Sequence, residues 1–413
     1  MKKPMKILVI VNEYPPMAGG GGKFTEAFVK EFARSKEVSE VCVITAETGK
    51  KIPTPKEKKI KIIPLRAAFR RNPRKSNSIN RILTPFVFMF QAVKAGRREL
   101  KRKRYDLLWS VFSVPSGVAG SVLSRESGIP HAVTTIGTDV YEPTKWYSPH
   151  RNLIYGWIVR QVLKRAHLIT AISEDIRKKV IRYFNPDRPV ITAHIGFTPF
   201  PFKKVRREKL GLEKNAYYLI YVNRIVPRKG HKYLLEALSR IKDENIKLIV
   251  VGEGPEKEKL RELAKELHVE KRVVWTGYVS EEKKWQHLTA SDLYVSSSLH
   301  EGFGINILEA MHAGLPVVST NKGGQTDFLE EGKNALLVAP KSPEELCSAI
   351  LKLRKDNKLA KEMAKQNKEK AKALTTHACA NNYLRLFKRI ALNGQKGKQE
   401  RPPRRTGLRE RLI

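Results

Sequence analysis

Two glutamates eight positions apart, on either side of a glycine turn, are the residues of this chain most suited to chemistry. Glu301 and Glu309 lie in the stretch SSSLHEGFGINILEAMHAGLPVVSTNKGG. The turn between them, Gly302-Phe303-Gly304, is expected to open a short helix whose unpaired N–H groups would face a phosphate. Glu309 stands among apolar residues, where a carboxylate needs hydrogen-bond donors such as the hydroxyls of a ribose. The pattern favours a nucleotide site over two solvated acids.

Two cations form a second candidate group. Arg224 and Lys229 follow a predicted strand at 218–222 and precede a helix. Cations at the carboxyl end of a strand can neutralise a diphosphate, Arg through its planar fork and Lys as a point charge. The alternative is a pair of surface charges ahead of a helix.

A run of four glycines follows the first predicted strand. Gly19, Gly20, Gly21 and Gly22 precede a helix that we expect to begin at about Lys23. Such a loop lets the backbone approach a phosphate or a sugar closely, and four glycines in succession predict a loop that orders when substrate binds. A plain flexible connector is the alternative.

The stretch around Glu301 resembles the E-x7-E signature of retaining nucleotide-sugar glycosyltransferases of family 4 (glycosyl transferases group 1), which have the GT-B fold. The resemblance covers residues 6–388. It implies that Arg224 and Lys229 grip the donor diphosphate, that Glu301 holds sugar hydroxyls and that Glu309 holds the ribose. It also implies that the glycine loop at 19–22 faces the reacting centre.

The resemblance assigns further backbone and side-chain positions to the donor site. The loop Gly277-Tyr278-Val279 would hold the nucleotide base with backbone groups, so the identity of the base stays open. The complete donor-binding set is Arg224, Lys229, Gly252, Gly277, Tyr278, Val279, Glu301, Gly302, Phe303, Gly304, Ile305 and Glu309.

One position departs from the family pattern. Where the family commonly has His-Gly-x-Asp, this chain reads Ile136-Gly137-Thr138-Asp139, so no imidazole is available there. Asp139 remains, and we expect it to contact hydroxyls of the acceptor or the sugar. The expected catalytic residues are therefore Glu301, Arg224, Lys229 and Asp139. With no Asp-x-Asp motif and no His/Cys cluster, neither a metal nor another cofactor is expected.

Apolar runs and helical patterns alternate along the whole chain, and twelve or more strands are expected. Repeated strand–helix units imply parallel sheets covered on both faces. The predicted fold class is α/β of the GT-B type, with two facing Rossmann-like doubly wound domains and a cleft between them. The expected organisation is an acceptor-binding domain at 1–198, a nucleotide-sugar-binding domain at 199–375, a helix at 376–393 packing back toward the first domain, and a basic disordered tail at 394–413.

The chain is strongly basic. It has 80 Lys and Arg against 41 Asp and Glu, a net charge of +39. The segment 66–104 holds 13 of these cations and one acid around the apolar, aromatic run LTPFVFMFQAV. This pattern predicts an amphipathic helix on an anionic membrane surface. An ordinary packed helix with a solvated basic face is the alternative, and nucleic acid is a weaker one because no recognition motif accompanies the charge.

The three cysteines and the N-terminal residues indicate in which cellular compartment the protein is expected. Cys42, Cys347 and Cys379 are odd in number and lack metal-ligand spacing, which favours a reduced, cytoplasmic compartment. The first apolar run, at 7–11, is too short for a signal peptide, and no run reaches the ~18 residues of a membrane span. We expect a peripheral protein on the cytoplasmic face of a membrane.

Together these patterns predict a retaining glycosyltransferase. It would move a sugar from a nucleotide-diphosphate sugar to an acceptor hydroxyl on a lipid-linked or membrane-associated glycan. A nucleotide-sugar epimerase of the same fold and a basic nucleic-acid-binding protein are the two alternatives.

Overall fold

The computed structural model describes residues 3–16, 19–47, 52–66, 78–142 and 148–399. Part of the predicted basic segment, 67–77, and most of the predicted tail, 400–413, lie outside the described residues.

The first sheet has seven strands in the order β3-β2-β1-β4-β5-β6-β7. Its pairings with a defined residue register are all parallel, as when Ile7 of β1 pairs with Leu107 of β4. Its strands are β1 (Met5–Val11), β2 (Val38–Ala46), β3 (Ile60–Leu65), β4 (Leu107–Val111), β5 (His131–Thr135), β6 (Leu168–Ala171) and β7 (Val190–Thr192).

The second sheet has six parallel strands in the order β10-β9-β8-β11-β12-β13. Its strands are β8 (Tyr217–Val222), β9 (Ile246–Val251), β10 (Val273–Gly277), β11 (Leu293–Ser296), β12 (Val317–Thr320) and β13 (Leu336–Val338). The prediction of two doubly wound parallel sheets is confirmed. The runs that became strands are apolar along their length because a parallel strand is covered on both faces.

Twelve α-helices are found among the described residues, most of them connecting strands. They are α1 (Gly20–Arg34), α2 (Ser78–Arg102), α3 (Ser116–Ser127), α4 (Leu153–Arg165), α5 (Glu174–Phe184), α6 (His231–Ser239), α7 (Lys257–Glu266), α8 (Glu281–Ala290), α9 (Ile305–Ala313), α10 (Pro343–Lys355), α11 (Asn357–Lys372) and α12 (Thr376–Gln399).

The described residues fall into two compact units. One draws on Met1–Thr134, Gln161–Ile169 and Asn381–Ile413, and the other on Thr135–Arg160 and Thr170–Ala380.

An aromatic cluster forms part of the core of the first unit. Trp109 of β4 is fully buried, and its ring lies 5.5 Å from Phe32 of α1 and 5.5 Å from Phe387 of α12. The ring of Tyr383 lies 5.1 Å from that of Phe28. These large side chains join α1 and the end of α12 to the sheet, since each buries an extensive apolar area.

Helix α1 begins earlier than the sequence analysis expected. It begins at Gly20, so Gly20, Gly21 and Gly22 form its first turn, and the prediction that they belong to a loop is corrected. Gly19 precedes the helix in an extended conformation. Gly21 and Gly22 are buried, which shows that this first turn packs into the interior of the unit.

Candidate functional site

The candidate site lies where the strand order of the second sheet reverses. Strands β8 and β11 are neighbours there, and the chain leaves them toward opposite halves of the sheet. In doubly wound sheets, ligands bind in the crevice outside the carboxyl ends of two such strands. Asn223 directly follows β8, and Glu301 lies a few residues after β11.

The carboxylate of Glu301 is held by three donors on one of its oxygens. Its Oε1 accepts hydrogen bonds from Lys229 Nζ at 2.5 Å, Ser298 Oγ at 2.7 Å and Asn223 Nδ2 at 3.2 Å. Its Oε2 accepts no hydrogen bond from any residue that the structure describes. The carboxylate is therefore fixed through one oxygen and has the other available.

Glu301 and Lys229 form a buried ion pair. Burial by itself would raise the pKa of Glu301, but the charges of Lys229 and Arg228 overcome it and lower the pKa to about 2. Burial lowers the pKa of Lys229, and the negative charge of Glu301 opposes that change. At neutral pH the carboxylate of Glu301 is ionised.

The turn that carries Lys229 is fixed by hydrogen bonds to its backbone. Pro227–Lys229 forms a short 3₁₀ turn. The Lys229 carbonyl accepts from the Tyr221 hydroxyl at 2.9 Å and from Ser297 Oγ at 3.3 Å. Leu299 N–H donates to the Arg228 carbonyl at 2.9 Å. Lys229 is therefore held in place by residues of β8 and by the segment that follows β11.

The two predicted cations have different surroundings. Lys229 is buried, whereas the side chain of Arg224 is exposed and forms no ion pair with a described carboxylate. A third cation, Arg228, was missed by the sequence analysis. Its Nε lies 3.7 Å from Glu142 Oε2. The close spacing of three cations after one strand was the available signal for it.

Glu309 has a partner within the chain. It is buried on α9, and its Oε1 accepts from Lys284 Nζ of α8 at 2.6 Å. Lys284 also pairs with Glu281 at 2.7 Å. Burial would lower the pKa of Lys284, but Glu309 and Glu281 together raise it. The sequence had no signal for this pair, because it depends on how two helices pack; the ribose contact stays a prediction.

The glycine turn before α9 is packed tightly against other segments. Ser173 Oγ donates to the Gly302 carbonyl at 2.7 Å. A Cβ at position 302 would lie 3.0 Å from the Ile136 carbonyl oxygen, closer than side chains normally approach, so this position favours glycine. Phe303 is buried with its ring 5.1 Å from that of His194. Gly304 and Ile305 then begin the helix.

Asp139 stabilises the turn that lies beside Gly302. Its Oδ1 accepts from the backbone N–H groups of Ile136 and Gly137, both at 3.0 Å, and its side chain is buried. This use of an aspartate to bond nearby amides is a common way to fix a turn. In the structure, the Asp139 side chain therefore holds the backbone of its own turn. Its contact with substrate hydroxyls stays a prediction.

The loops after β9 and β10 lie next to the loop after β8. Gly252 N–H donates to the Gly277 carbonyl at 2.9 Å, and a Cβ on Gly252 would clash with the Asn223 carbonyl. With a φ of 146°, Gly252 also has a conformation that other residues rarely adopt. Tyr278 is exposed and Val279 is partly exposed. The predicted donor-site residues Gly252 and Gly277 are therefore brought together.

A hydrogen-bonded group that the sequence analysis missed holds the residue before Glu301. His300 Nε2 lies 2.8 Å from Asp175 Oδ2, and Lys179 Nζ lies 2.6 Å from the same oxygen. Burial would raise the pKa of Asp175, but hydrogen bonds from His300 and Lys179 lower it. Burial lowers the pKa of Lys179. These contacts join α5 to the loop that carries Glu301.

Within the ranges that the structure describes, no group of three or more His, Cys, Asp or Glu residues could hold a metal ion. In the same ranges, no helix is both long enough and apolar enough to cross a membrane.

Two family models match the chain. "Glycosyl transferases group 1" matches residues 202–370, and "Glycosyl transferase 4-like domain" matches residues 19–196. The first of these includes Arg224, Lys229, Glu301 and Glu309.

Curated relatives cover most of the chain. An uncharacterized glycosyltransferase of Methanocaldococcus jannaschii is 26% identical, over 84% of this chain and 88% of its own length. The GDP-mannose-dependent alpha-(1-6)-phosphatidylinositol monomannoside mannosyltransferase of Mycolicibacterium smegmatis is also 26% identical, over 86% of this chain and 91% of its own length.

A solved structure has the same fold. Sucrose-phosphate synthase from Thermosynechococcus elongatus matches with a TM-score of 0.82 and 21% identity, over 94% of this chain and 100% of that one. At this level of identity the likeness concerns the fold, and it confirms the fold class that the sequence resemblance implies.

Proposed function

Because this chain belongs to the family of glycosyl transferases group 1 and has the GT-B fold, we propose that it transfers a sugar from a nucleotide-diphosphate sugar to an acceptor hydroxyl, with retention of configuration. The dependence of its mycobacterial relative on GDP-mannose supports a nucleotide-sugar donor. The proposal rests on one geometric observation at Glu301.

That observation is the unequal use of the two oxygens of Glu301. Three donors fix Oε1, while Oε2 accepts nothing from the described residues. A buried, ionised carboxylate in this state can accept a hydrogen bond from a sugar hydroxyl without first moving or losing a partner. Such preorganised polar groups are worth more in a site that excludes water than in solution.

The cations around Glu301 suit a diphosphate leaving group. When the bond between the sugar and the diphosphate breaks, negative charge develops on the phosphate. An ammonium has three N–H donors, so Lys229 can donate to Glu301 and to a phosphate oxygen at once. Arg224 is exposed near the same strand end, and the amides at the start of α9 add positive potential. We therefore expect no requirement for a metal.

The proposed reaction needs no separate base to take the acceptor proton. The bond from the anomeric carbon to the diphosphate oxygen breaks as the bond to the acceptor oxygen forms on the same face, and the acceptor proton passes to the departing phosphate. Glu301 would bind the sugar and Glu309 the ribose. Glu301 acting instead as a covalent nucleophile is the competing pathway, and trapping of a glycosylated Glu301 would identify it.

We propose a lipid-linked or membrane-associated glycan as acceptor. The mycobacterial relative acts on a phosphatidylinositol monomannoside. In this chain, α2 has exposed Phe86 and Phe90 and, further along, exposed Lys94, Arg98 and Lys101. This composition suits the cytoplasmic face of an anionic membrane.

Gly19 and the first turn of α1 would contribute to acceptor or phosphate binding, and Asp139 would contact hydroxyls of the acceptor or the sugar.

The deciding experiment is a screen of UDP-, GDP- and ADP-sugars. We expect one of them to raise the thermal unfolding midpoint of the wild-type protein and to be hydrolysed slowly in the absence of acceptor. Glu301→Gln should keep binding of the free nucleoside diphosphate but lose hydrolysis. If no nucleotide sugar has any effect, the proposal fails.

Two other outcomes would indicate the alternative functions. Conversion of the donor sugar to its epimer would indicate an epimerase, and salt-sensitive RNA binding tighter than vesicle binding would indicate a nucleic-acid-binding protein.

A further inference from the structure

The segment that carries Glu301 is held in place on both sides of that residue. The Glu301 carbonyl accepts from Gly324 N–H at 2.9 Å, and the Gly302 carbonyl accepts from Ser173 Oγ at 2.7 Å. On the other side, His300 is held through its side chain. The position of the Glu301 backbone therefore depends on contacts made by its neighbours, as well as on the donors to its own carboxylate.

The side chain of His300 is enclosed by three residues. It is 4% exposed, and its ring lies 5.4 Å from that of Tyr141. Its Nε2 lies 2.8 Å from Asp175 Oδ2 and also contacts Lys179 Nζ. In one tautomer Nε2–H donates to Asp175, and in the other Nε2 accepts from Lys179. The ring is therefore held in either tautomer.

Helix α5 is a firm base for this contact. Asp175 and Lys179 are four residues apart, so they share one face of the helix, and Lys179 Nζ donates to Asp175 Oδ2 at 2.6 Å. Ser173 caps the helix by accepting from Ile176 N–H at 3.2 Å. The inner face of α5 is buried through Ile176, Val180 and Phe184. All the residues that form this contact belong to the compact unit that draws on Thr135–Arg160 and Thr170–Ala380.

We propose that Asp175 is a positioning residue for Glu301, which it holds in place through His300. The three donors to Oε1 determine where the carboxylate lies relative to its own backbone. The contact between His300 and Asp175 determines where that backbone lies relative to α5. The inference rests on the proposed function, in which Glu301 binds the transferred sugar. A displacement of about 1 Å at a group that contacts the reacting substrate can lower the rate about a hundredfold.

A contact that only stabilises the fold is the competing explanation. Its loss would lower the thermal unfolding midpoint without a specific effect on kcat. A positioning contact has a different signature, because it affects the step in which the sugar bond breaks more than it affects the binding of the nucleotide. The variants below are therefore compared by kcat, by binding of free nucleoside diphosphate and by unfolding midpoint.

Donor hydrolysis by two variants of His300 tests the proposal. His300→Leu fills much of the same space but cannot bond Asp175, so kcat for the nucleotide sugar that the wild type hydrolyses should fall about tenfold to a hundredfold. His300→Gln places an amide near the position of Nε2 and should recover most of that loss. Both variants should bind the free nucleoside diphosphate as the wild type does. Wild-type kcat in His300→Leu, or no recovery in His300→Gln, would overturn the proposal.

A double-mutant cycle tests whether Asp175 acts through His300. Asp175→Ala should lower kcat about as much as His300→Leu does, and the combined variant should lose no more than either change alone. Losses that add would show that Asp175 affects the site by another route and would contradict the proposal. The unfolding midpoint of each protein confirms that the rates belong to folded enzyme.

Arg177→Ala is the matched control on the same helix. Arg177 donates to the Glu174 carboxylate twice, at 2.7 Å and 2.8 Å, and this pair includes neither His300 nor Asp175. Breaking it should therefore leave kcat unchanged. A fall in kcat equal to that of Asp175→Ala would mean that any weakening of α5 lowers the rate, and the specific role of Asp175 would be refuted.

Amide hydrogen exchange separates this inference from the proposed function. The N–H groups of Leu299 and Gly324 are hydrogen bonded on either side of Glu301, and they should exchange faster in His300→Leu than in the wild type or the control. Unchanged exchange and unchanged kcat, in an enzyme that hydrolyses its donor, would refute the positioning role alone. A wild type that hydrolyses no nucleotide sugar would instead refute the proposed function, and the exchange rates would then decide whether His300 holds this turn.

Discussion

Lys229 Nζ lies 2.5 Å from Glu301 Oε1, although the two residues are 72 positions apart in the sequence. In the sequence analysis, Lys229 was expected to bind the diphosphate and Glu301 the sugar hydroxyls. Their contact means that the cation also sets the ionisation and the position of the carboxylate. The consequences of changing either residue should therefore differ from those of changing an exposed cation.

Arg224→Ala should lower transfer without affecting folding. Its side chain is exposed, so the free energy of unfolding should change by less than about 0.5 kcal/mol. Loss of one fixed donor at the diphosphate should cost about 2–4 kcal/mol of transition-state stabilisation, measured as kcat/KM. Arg206→Ala, another exposed arginine of the same unit, is the control. If the two variants have the same kcat/KM, Arg224 does not bind the donor diphosphate.

Lys229→Met should destabilise the protein as well as inactivate it. It leaves the buried carboxylate of Glu301 without its counter-charge, which typically costs about 3–5 kcal/mol of unfolding free energy. The double variant Lys229→Met/Glu301→Gln should recover much of that loss, because no charge is then left buried. Urea unfolding of the four proteins in a double-mutant cycle gives the coupling, and additive effects would contradict the pairing.

The stability that Glu301 contributes should depend on pH in the acid range. Its pKa is lowered to about 2, so its contribution is complete at neutral pH and is lost as pH falls below its ordinary value of 4.5 toward 2. The difference in unfolding free energy between wild type and Glu301→Gln should therefore shrink through this window. Denaturant unfolding at a series of pH values measures it. A difference that is independent of pH would show that Glu301 is not held as a charged group.

Ser298→Ala should weaken the hold on Glu301 more than the neighbouring change Ser297→Ala. Ser298 Oγ donates to the ionised carboxylate at 2.7 Å, and a hydrogen bond to a charged group contributes about 1.5–3 kcal/mol. Ser297 Oγ donates to a neutral carbonyl at 3.3 Å, where the contribution is smaller. We expect kcat for transfer to fall about tenfold or more in Ser298→Ala only. The same rate in both variants would mean that this donor does not position Glu301.

Neutralising five cations in or next to α2 that form no ion pair with a carboxylate in the described part of the chain should weaken membrane binding. Arg97 pairs with Glu126 and Lys103 with Glu40, so these two are left unchanged. The variant replaces Lys94, Arg98, Lys101, Arg102 and Arg104 with Gln. At about 1 kcal/mol for each cation near an anionic surface, the affinity for phosphatidylglycerol vesicles should fall steeply.

The control for the α2 variant carries the same change of charge on other helices. It replaces Lys352 and Lys355 of α10 and Lys358, Lys361 and Lys365 of α11 with Gln. If both proteins lose binding equally, the effect comes from net charge alone and α2 is not the contact.

The strand pattern, and the positions of the candidate site residues after strands, could be predicted from the sequence. The described residues form thirteen strands where twelve or more were expected, because the period of an apolar run and its turn residues are local properties. The same runs placed Arg224, Gly252 and Glu301 after strands, at the edge of the sheet where ligands bind. The start of α1 was misplaced by three residues, because glycine is a weak helix former and only packing stabilises it as the first turn.

Only the tertiary structure decided which partners these residues have. The sequence has no signal that Lys284 would reach Glu309, that Ser298 and Asn223 would join Lys229 at one oxygen of Glu301, or that Asp139 would bond its own turn. Hydrophobic periodicity determines which elements form, whereas these hydrogen bonds depend on distances between side chains of different elements. Such distances are set by how helices and loops pack on the sheet, to within a fraction of an ångström. Because burial makes an unpaired charge costly, that packing also fixes the ionisation of Glu301 and thereby what the site can bind.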